Sequence, residues 1–256
     1  ALRAQALSCS AADLRNTIAQ VIFAVSQSET RPEINGVFLH ADGNQLTMTA
    51  TDSYRLAERK VRLLAAAATP RKVIVPARAL QELLRILTNF KDPAALTTVD
   101  RVEFYVAENQ VLFTLGTVEI VSRVIEGQYP DYEQIIPQHY ATTARVATAE
   151  LTKATKTASL FSRSGIYDVA LAVAPSERSL SLSAANAQLG ENTSRIGAEV
   201  TGQENKTVLN YRFLLDGLQN IETDEVELHL IDSASPCVLK PRGRTDYLYL
   251  VMPIKQ

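Results

Sequence analysis

Apolar residues recur at helical spacing in two separate stretches of the first half of the chain. The first stripe predicts a helix over residues 10–25, with Ser10 as its N-cap and Asp13 in its first turn. A second stripe, made of leucines, predicts a helix over about 77–88 that Pro76 opens, since proline is well tolerated at a helix start.

Alternating apolar and polar residues predict that the rest of this half is antiparallel sheet. The predicted strands cover residues 36–40, 45–51, 55–63, 72–75, about 97–99, 102–107, 111–115 and 118–124. Turns are expected at 42–44 and 52–54, and a loop is expected over 65–70, because Asp, Gly, Asn and Pro favour such positions.

The second half repeats the first at a constant offset. Residues 46–52, LTMTATD, match 180–186, LSLSAAN, and residues 72–78, KVIVPAR, match 206–212, KTVLNYR, so the offset is 180 − 46 = 206 − 72 = 134. A helix over about 149–161 corresponds to the first helix. Two segments at one offset indicate a duplication, and the element order predicts an α+β fold in which each repeat has antiparallel sheet on one side and two helices on the other.

A stretch rich in proline and tyrosine, residues 126–137, lies between the repeats. Its prolines disfavour a helix or a central strand, but Tyr129, Tyr132, Ile135 and Ile136 are too apolar for a free linker. We interpret it as a stiff, docked connector that forms one wall of a groove where the two halves meet.

Composition and motifs favour a binding or scaffold protein over an enzyme. The net charge of −2 means that any contact with DNA depends on local clusters of Lys and Arg. Hydrolase, kinase and dehydrogenase signatures are absent, the three histidines lack metal-ligand spacing, and the two cysteines form no C-x-x-C motif. We therefore expect no catalytic residue, no metal and no cofactor. Without an apolar run of membrane length, the chain is interpreted as cytoplasmic and free of membrane contact.

Several ordered segments resemble one family. FAVS at 23–26, ETRP at 29–32 and NGV at 35–37 are similar to the second domain of the bacterial sliding clamp, the DNA polymerase III β subunit. ATDSYRLA at 50–57, GQYPDY at 127–132 and LVMPI at 250–254 also resemble family segments. The resemblance implies two clamp-type domains, 1–132 and 133–256, with the sheet outside and the helices on the inner face. The family's first domain has no counterpart in this sequence.

The resemblance also implies a site for partner peptides. The family binds short peptides of polymerases and repair proteins in a groove between its second and third domains. The positions that match this groove are Ile34, Thr51, Ser53, Tyr54, Arg55, Leu56, Pro130, Gln134, Ile135, Ile166, Asn210, Phe213, Ala234, Pro236, Leu250, Val251, Met252, Pro253 and Ile254. The expected partners are the DNA polymerase III α subunit, the clamp loader and other proteins that carry a clamp-binding motif.

Two positions depart from the family pattern. Gln134 stands where some members have Arg, and Pro236 stands where Ser is common, so affinity and partner choice are expected to change. Other interpretations stay open for the rest: the segment 51–53 as a plain turn, Tyr54 and Phe213 as core aromatics, and the last strand as an ordinary edge strand.

Basic residues on or beside the four predicted helices are candidates for contact with double-stranded DNA, which passes through the ring in the family. They are Arg15, Arg78, Arg85, Lys153, Lys156, Arg163 and Arg212. Contacts of this kind reach phosphates and are independent of base sequence and sensitive to salt. The alternative is that these side chains only solvate the helix faces.

The number of domains bears on assembly. The full-length family forms a homodimeric ring of six domains, and this two-domain chain is expected to be a monomer. The alternatives are an isolated peptide-binding module that does not encircle DNA, and a ring of three two-domain copies, which needs new complementarity between the ends.

Overall fold

The computed structural model describes residues 6–28, 30–89 and 101–255. The chain divides into two compact units, Ala1–Asp131 and Tyr132–Gln256. Each unit contains antiparallel sheet and two helices, and these confirm the predicted α+β class. The strand expected near 97–99 lies outside the described residues.

The first unit follows the order strand, helix, two long strands, helix and three short strands. Its elements are β1 (Leu7–Ser10), α1 (Ala11–Ile22), β2 (Gly36–Thr51), β3 (Arg55–Pro76), α2 (Ala77–Asn89), β4 (Arg101–Val106), β5 (Gln110–Leu115) and β6 (Val118–Arg123). The strands β3, β1, β4, β5 and β6 lie in that order in one sheet, and β2 pairs along β3. Ser10 caps α1 as predicted, because its Oγ accepts a hydrogen bond from the Asp13 amide.

The second unit has the same order of elements, but its sheets are divided into more and shorter strands. Its elements are β7 (Thr142–Ala147), α3 (Thr148–Ser159), β8 (Asp168–Ala174), β9 (Ser179–Asn186), β10 (Gly190–Gly197), β11 (Glu199–Gly202), β12 (Asn205–Asn210), α4 (Tyr211–Gln219), β13 (Glu225–Leu230), β14 (Cys237–Pro241) and β15 (Tyr247–Val251). One sheet has the order β11, β7, β13, β14, β15, and the other has the order β10, β9, β8, β12. Helices α2 and α4 begin at 77 and 211, so they keep the offset, 211 − 77 = 134.

Two local predictions in the first unit are wrong. Residues 42–44 do not reverse the chain, because β2 continues through them with shifts of register near Gly43. Residues 65–70 are not a loop but part of β3, where Ala67 pairs with Gly43. The physical reason is that β2 and β3 form one long hairpin, whose ladder absorbs the extra residues as bulges.

Strand β13 of the second unit carries a buried histidine. His229 is 9% exposed, its Nδ1 lies 3.1 Å from the Thr143 hydroxyl, and its ring centroid is 4.6 Å from that of Tyr140. Burial, with the nearby Lys240 ammonium adding to it, lowers the pKa of His229 to about 4. The imidazole is therefore neutral in the folded protein at neutral pH.

We predict that His229 contributes to acid sensitivity. Because its pKa is lower in the folded chain than in the unfolded chain, the unfolded state binds more protons between about pH 6.5 and 4, and stability falls as the pH falls through that window. Replacing His229 by Gln should reduce this acid-induced loss of folding free energy by about 1–2 kcal/mol. Urea unfolding of both proteins at pH 7.5 and pH 4.5 measures the difference, and equal pH slopes would contradict the prediction.

Candidate functional site

The turn that joins β2 to β3 presents an exposed aromatic ring. Asp52 Oδ1 accepts hydrogen bonds from the amides of Tyr54 at 2.9 Å and Arg55 at 3.0 Å. The Thr51 hydroxyl accepts from the Ser53 amide at 3.1 Å and donates to the Arg55 carbonyl at 2.7 Å. These bonds fix the backbone, while the Tyr54 side chain is 65% exposed. The interpretation of Tyr54 as a core aromatic is therefore wrong.

Ser53 has a backbone conformation that favours glycine. Its φ is 79°, and it is one of the few non-glycine residues with positive φ in the described chain. An arginine from the preceding segment holds it there, since Arg31 donates to the Ser53 hydroxyl at 2.8 Å and also pairs with Glu33 at 3.0 Å. Arg31 was not among the predicted site residues, because a positive φ at a serine leaves no mark in the sequence.

The Arg55 side chain turns inward beneath this turn. Its Nε lies 2.9 Å from Asp52 Oδ2, and it donates to the Phe23 carbonyl at 2.9 Å while it stacks near the Phe23 ring. The other candidate positions around it, Ile34, Thr51 and Leu56, are buried. Thr51 and Arg55 hold the turn by hydrogen bonds, and Ser53 and Tyr54 are its exposed part.

The connector is fixed on the first unit by a tyrosine. The Tyr129 ring stacks on Phe38 with centroids 4.9 Å apart, and its hydroxyl donates to the Thr49 carbonyl at 3.3 Å. The adjacent candidate Pro130 is half-buried. In the second unit, Gln134 and Ile135 are exposed within a short 3-10 helix, Tyr132–Ile135.

In the second unit, the end of the chain lies beside the start of α4. The Ile254 amide donates to the Val208 carbonyl at 2.7 Å, and the Tyr249 hydroxyl donates to the Phe213 carbonyl at 2.9 Å. Asn210 caps α4, since its Oδ1 accepts from the Arg212 amide at 2.9 Å. The structure therefore brings together candidates from β12, α4 and the final residues.

The remaining candidates of this unit differ in exposure. Leu250 and Val251 are fully buried, whereas Met252, Pro253 and Ile254 are half-buried and Ile166 is 42% exposed. Ala234 lies in a loop fixed by Asp232, whose Oδ1 accepts from the Ala234 and Ser235 amides. Pro236 leads from this loop into β14, where Cys237 pairs with Val251 of β15.

The basic candidates fall into two groups. Four are engaged with neighbours: Arg85 pairs with Glu82, Arg163 pairs with Asp168, Arg15 donates to Asn16, and Arg212 lies over the Tyr167 ring. The other three, Arg78, Lys153 and Lys156, are exposed and have no ion pair among the described residues. The two lysines border a concavity of about 820 Å³ on α3, which Thr152, Thr157 and Leu160 also line.

Other kinds of site find no support in the described part of the chain. No group of three or more His, Cys, Asp or Glu residues is placed there to hold a metal ion. Both cysteines are buried free thiols, and burial raises the pKa of each to about 12, so neither is a thiolate at neutral pH. Among residues 6–28, 30–89 and 101–255, no helix has the length and hydrophobicity to cross a membrane.

Comparisons with known proteins assign the chain to a family. Residues 8–131 match the model of the DNA polymerase III beta subunit, central domain, and residues 133–255 match that of its C-terminal domain. The β sliding clamp of Staphylococcus aureus is 35% identical over 254 residues, 99% of this chain and 65% of its own length. The Staphylococcus epidermidis clamp is 34% identical over the same shares. The chain thus spans slightly less than two thirds of these curated relatives.

Solved structures agree with these matches. The DNA polymerase sliding clamp of Bacillus subtilis superposes with a TM-score of 0.91 at 31% identity, over 99% of this chain and 65% of that one. The DNA polymerase III subunit β of Pseudomonas aeruginosa gives a TM-score of 0.91 at 26% identity, over 100% and 68% of the two chains. The chain therefore belongs to the DNA polymerase III β subunit family of sliding clamps and corresponds to the central and C-terminal domains of that family.

Proposed function

We propose that this chain is the partner-binding part of a sliding clamp, a non-enzymatic processivity factor that acts in the cytoplasm. It holds DNA by topology in a ring and recruits the polymerase α subunit, the clamp loader and other motif-bearing proteins through a peptide site. The observation that carries the peptide site is Tyr54, an aromatic ring that is 65% exposed on a turn fixed by Asp52 and Thr51. Exposed apolar side chains on a rigid backbone lose little conformational entropy when they bind.

The exposed and half-buried candidate residues in each unit offer a surface that suits an apolar peptide. In the first unit Tyr54 offers a ring face, and in the second unit Ile166 and Met252 offer aliphatic and thioether surface. Each Leu or Phe side chain that the peptide buries is worth about 1.5–3 kcal/mol. Met252 is flexible and polarisable, so it adapts to several partners. Backbone and amide groups near Asn210 can fix the orientation of the peptide.

We predict that truncation of either apolar anchor weakens peptide binding at least about tenfold, because loss of a buried contact costs at least about 1.4 kcal/mol. The variants are Tyr54→Ala and Met252→Ala, and the probe is a labelled Gln-Leu-x-Leu-Phe peptide in a fluorescence-anisotropy titration. Leu64→Ala is the matched control, since Leu64 is 61% exposed but is not a candidate of the site. The peptide site is refuted if the unmodified chain shows no saturable binding.

For DNA, we propose that Arg78, Lys153 and Lys156 supply the main phosphate contacts. None of the three forms an ion pair among the described residues, in contrast to Arg85 and Arg163, although Asp224 also lines the concavity beside the two lysines. The threonines beside the two lysines on α3 add hydroxyl donors along the same concavity. Such contacts are weak and independent of base sequence, as sliding along DNA requires.

We predict that the double variant Lys153→Gln, Lys156→Gln binds duplex DNA more weakly and with a lower salt dependence. Each lost phosphate contact should lower the slope of log K against log salt by about 1. Titration of a fluorescent duplex from 50 to 200 mM salt measures the slope. Arg85→Gln serves as the control and should leave it nearly unchanged, because Glu82 already pairs with that side chain. An unchanged slope in the lysine variant would exclude these two contacts.

A second candidate function concerns the 256-residue chain by itself. For these residues by themselves the alternative is a peptide-binding module that does not encircle DNA, since the peptide-site candidates Tyr54 and Ile166 are already exposed within this chain. Light scattering shows whether the chain alone closes a ring, because a monomer has a mass of 28.1 kDa and a ring of three copies has about three times that mass. Peptide titration of the same sample then shows whether the monomer binds partners without a ring.

A further inference from the structure

The loop between α3 and β8 presents an exposed isoleucine on a strained backbone. The amides of Ile166 and Tyr167 both donate to the Arg163 carbonyl, at 3.2 and 3.0 Å. Gly165 and Tyr167 have φ values of +83° and +60°. Glycine adopts this conformation freely, but a tyrosine does so only at a cost in free energy, which other contacts must offset. Ile166, 42% exposed, lies between these two residues.

Two residues at the start of α4, Tyr211 and Arg212, contact Tyr167 and stabilise this conformation. The Tyr211 amide donates to the Tyr167 carbonyl at 2.8 Å, and the Tyr211 ring meets the Tyr167 ring edge-on with centroids 6.0 Å apart. The Arg212 guanidinium lies over the Tyr167 ring with its Cζ 3.6 Å from the centroid. A planar guanidinium stacks on an aromatic face in a way that a lysine ammonium does not reproduce.

The ends of the loop are fixed independently of this stack. Asp168 accepts hydrogen bonds from the Arg163 amide and side chain and from the Ser162 hydroxyl. Loss of Arg212 should therefore loosen the middle of the loop, at Gly165 and Ile166, without opening its ends.

We propose that Arg212 is a positioning residue: by stacking on Tyr167 it holds the left-handed turn that presents Ile166 to the partner peptide. This inference rests on the proposed peptide site. In this role Arg212 acts through packing and not through the phosphate contact that its charge indicates. It also links the start of α4, which Asn210 caps, to Ile166 of the proposed peptide site.

The test compares variants of the full 256-residue chain. Arg212→Lys keeps the charge and removes the planar stack, and it should weaken binding of the Gln-Leu-x-Leu-Phe peptide about three- to tenfold. Tyr167→Leu should give the same loss, and the double variant should be no weaker than either single variant, because both remove one interaction. Tyr167→Phe keeps the ring and should bind like the unmodified chain.

An NMR readout separates this inference from the proposed function. In the free chain, the δ1-methyl resonance of Ile166 should shift in Arg212→Lys and Tyr167→Leu but not in Tyr167→Phe. An unmoved methyl resonance, unchanged peptide affinity in Arg212→Lys, or additive losses in the double variant would overturn the positioning role. If the unmodified chain binds no peptide, the proposed function fails and the peptide role of Arg212 fails with it, even where the methyl resonance shifts.

Discussion

Replacement of Gly217 by alanine should destabilise the second unit by about 2–4 kcal/mol. Gly217 lies inside α4, and a Cβ at this position would come within 2.2 Å of Cδ1 and 2.3 Å of Cε1 of Tyr249. The ring cannot easily move away, because it is fully buried and its hydroxyl is bonded to the Phe213 carbonyl at 2.9 Å. The better helix propensity of alanine, about 1 kcal/mol, does not offset this overlap.

Urea unfolding and calorimetry of the Gly217→Ala variant measure this loss, and each kcal/mol should lower Tm by about 2–4 °C in a chain of this size. Gly197→Ala is the matched control, since no heavy atom lies within 4 Å of a Cβ there and its φ is not positive. The control should unfold like the unmodified chain. Equal stability of the two variants would show that Tyr249 is not rigidly packed.

The parts of the fold that could be predicted from the sequence are those with a strong local period. The leucine stripe and Pro76 located the start of α2, and in the structure α4 begins at Tyr211, 134 residues after Ala77, in agreement with the repeat offset. The long hairpin of β2 and β3 was not predicted. An Asp-Gly pair at 42–43 is equally compatible with a chain reversal and with a bulge, and only the partner strand decides between them.

The candidate site also has one part that could be predicted from the sequence and one part that could not. Asp52 and Tyr54 belong to a motif that can be recognised in the sequence, and the turn they form follows from the ability of Asp to bond the next backbone amides. The roles of Arg31 and Tyr167 could not be predicted, because a positive φ at Ser53 or Tyr167 depends on contacts that are remote in sequence. The engagement of Arg85 and Arg163 by carboxylates also emerged only from the folded geometry.

Replacement of Asp52 by alanine is expected to affect stability and binding together. The carboxylate accepts two backbone amides and pairs with Arg55, and the two side chains are only 17% and 12% exposed. Its removal takes one partner from the Arg55 guanidinium in a largely buried place and leaves the amides of Tyr54 and Arg55 without this acceptor, which should cost about 2–4 kcal/mol. Because Tyr54 follows directly, peptide affinity should fall more than about tenfold, and chemical unfolding and peptide titration of one preparation measure both effects.

Asparagine at position 52 separates the two parts of this effect. The Asp52→Asn variant keeps an oxygen that can accept from the amides of Tyr54 and Arg55 but removes the charge that pairs with Arg55. If the backbone turn is what presents Tyr54, this variant should lose about 1–2 kcal/mol of stability and yet keep most of its peptide affinity. If its affinity falls as far as that of Asp52→Ala, the ion pair with Arg55, rather than the amide bonds of the turn, holds Tyr54 in its binding position.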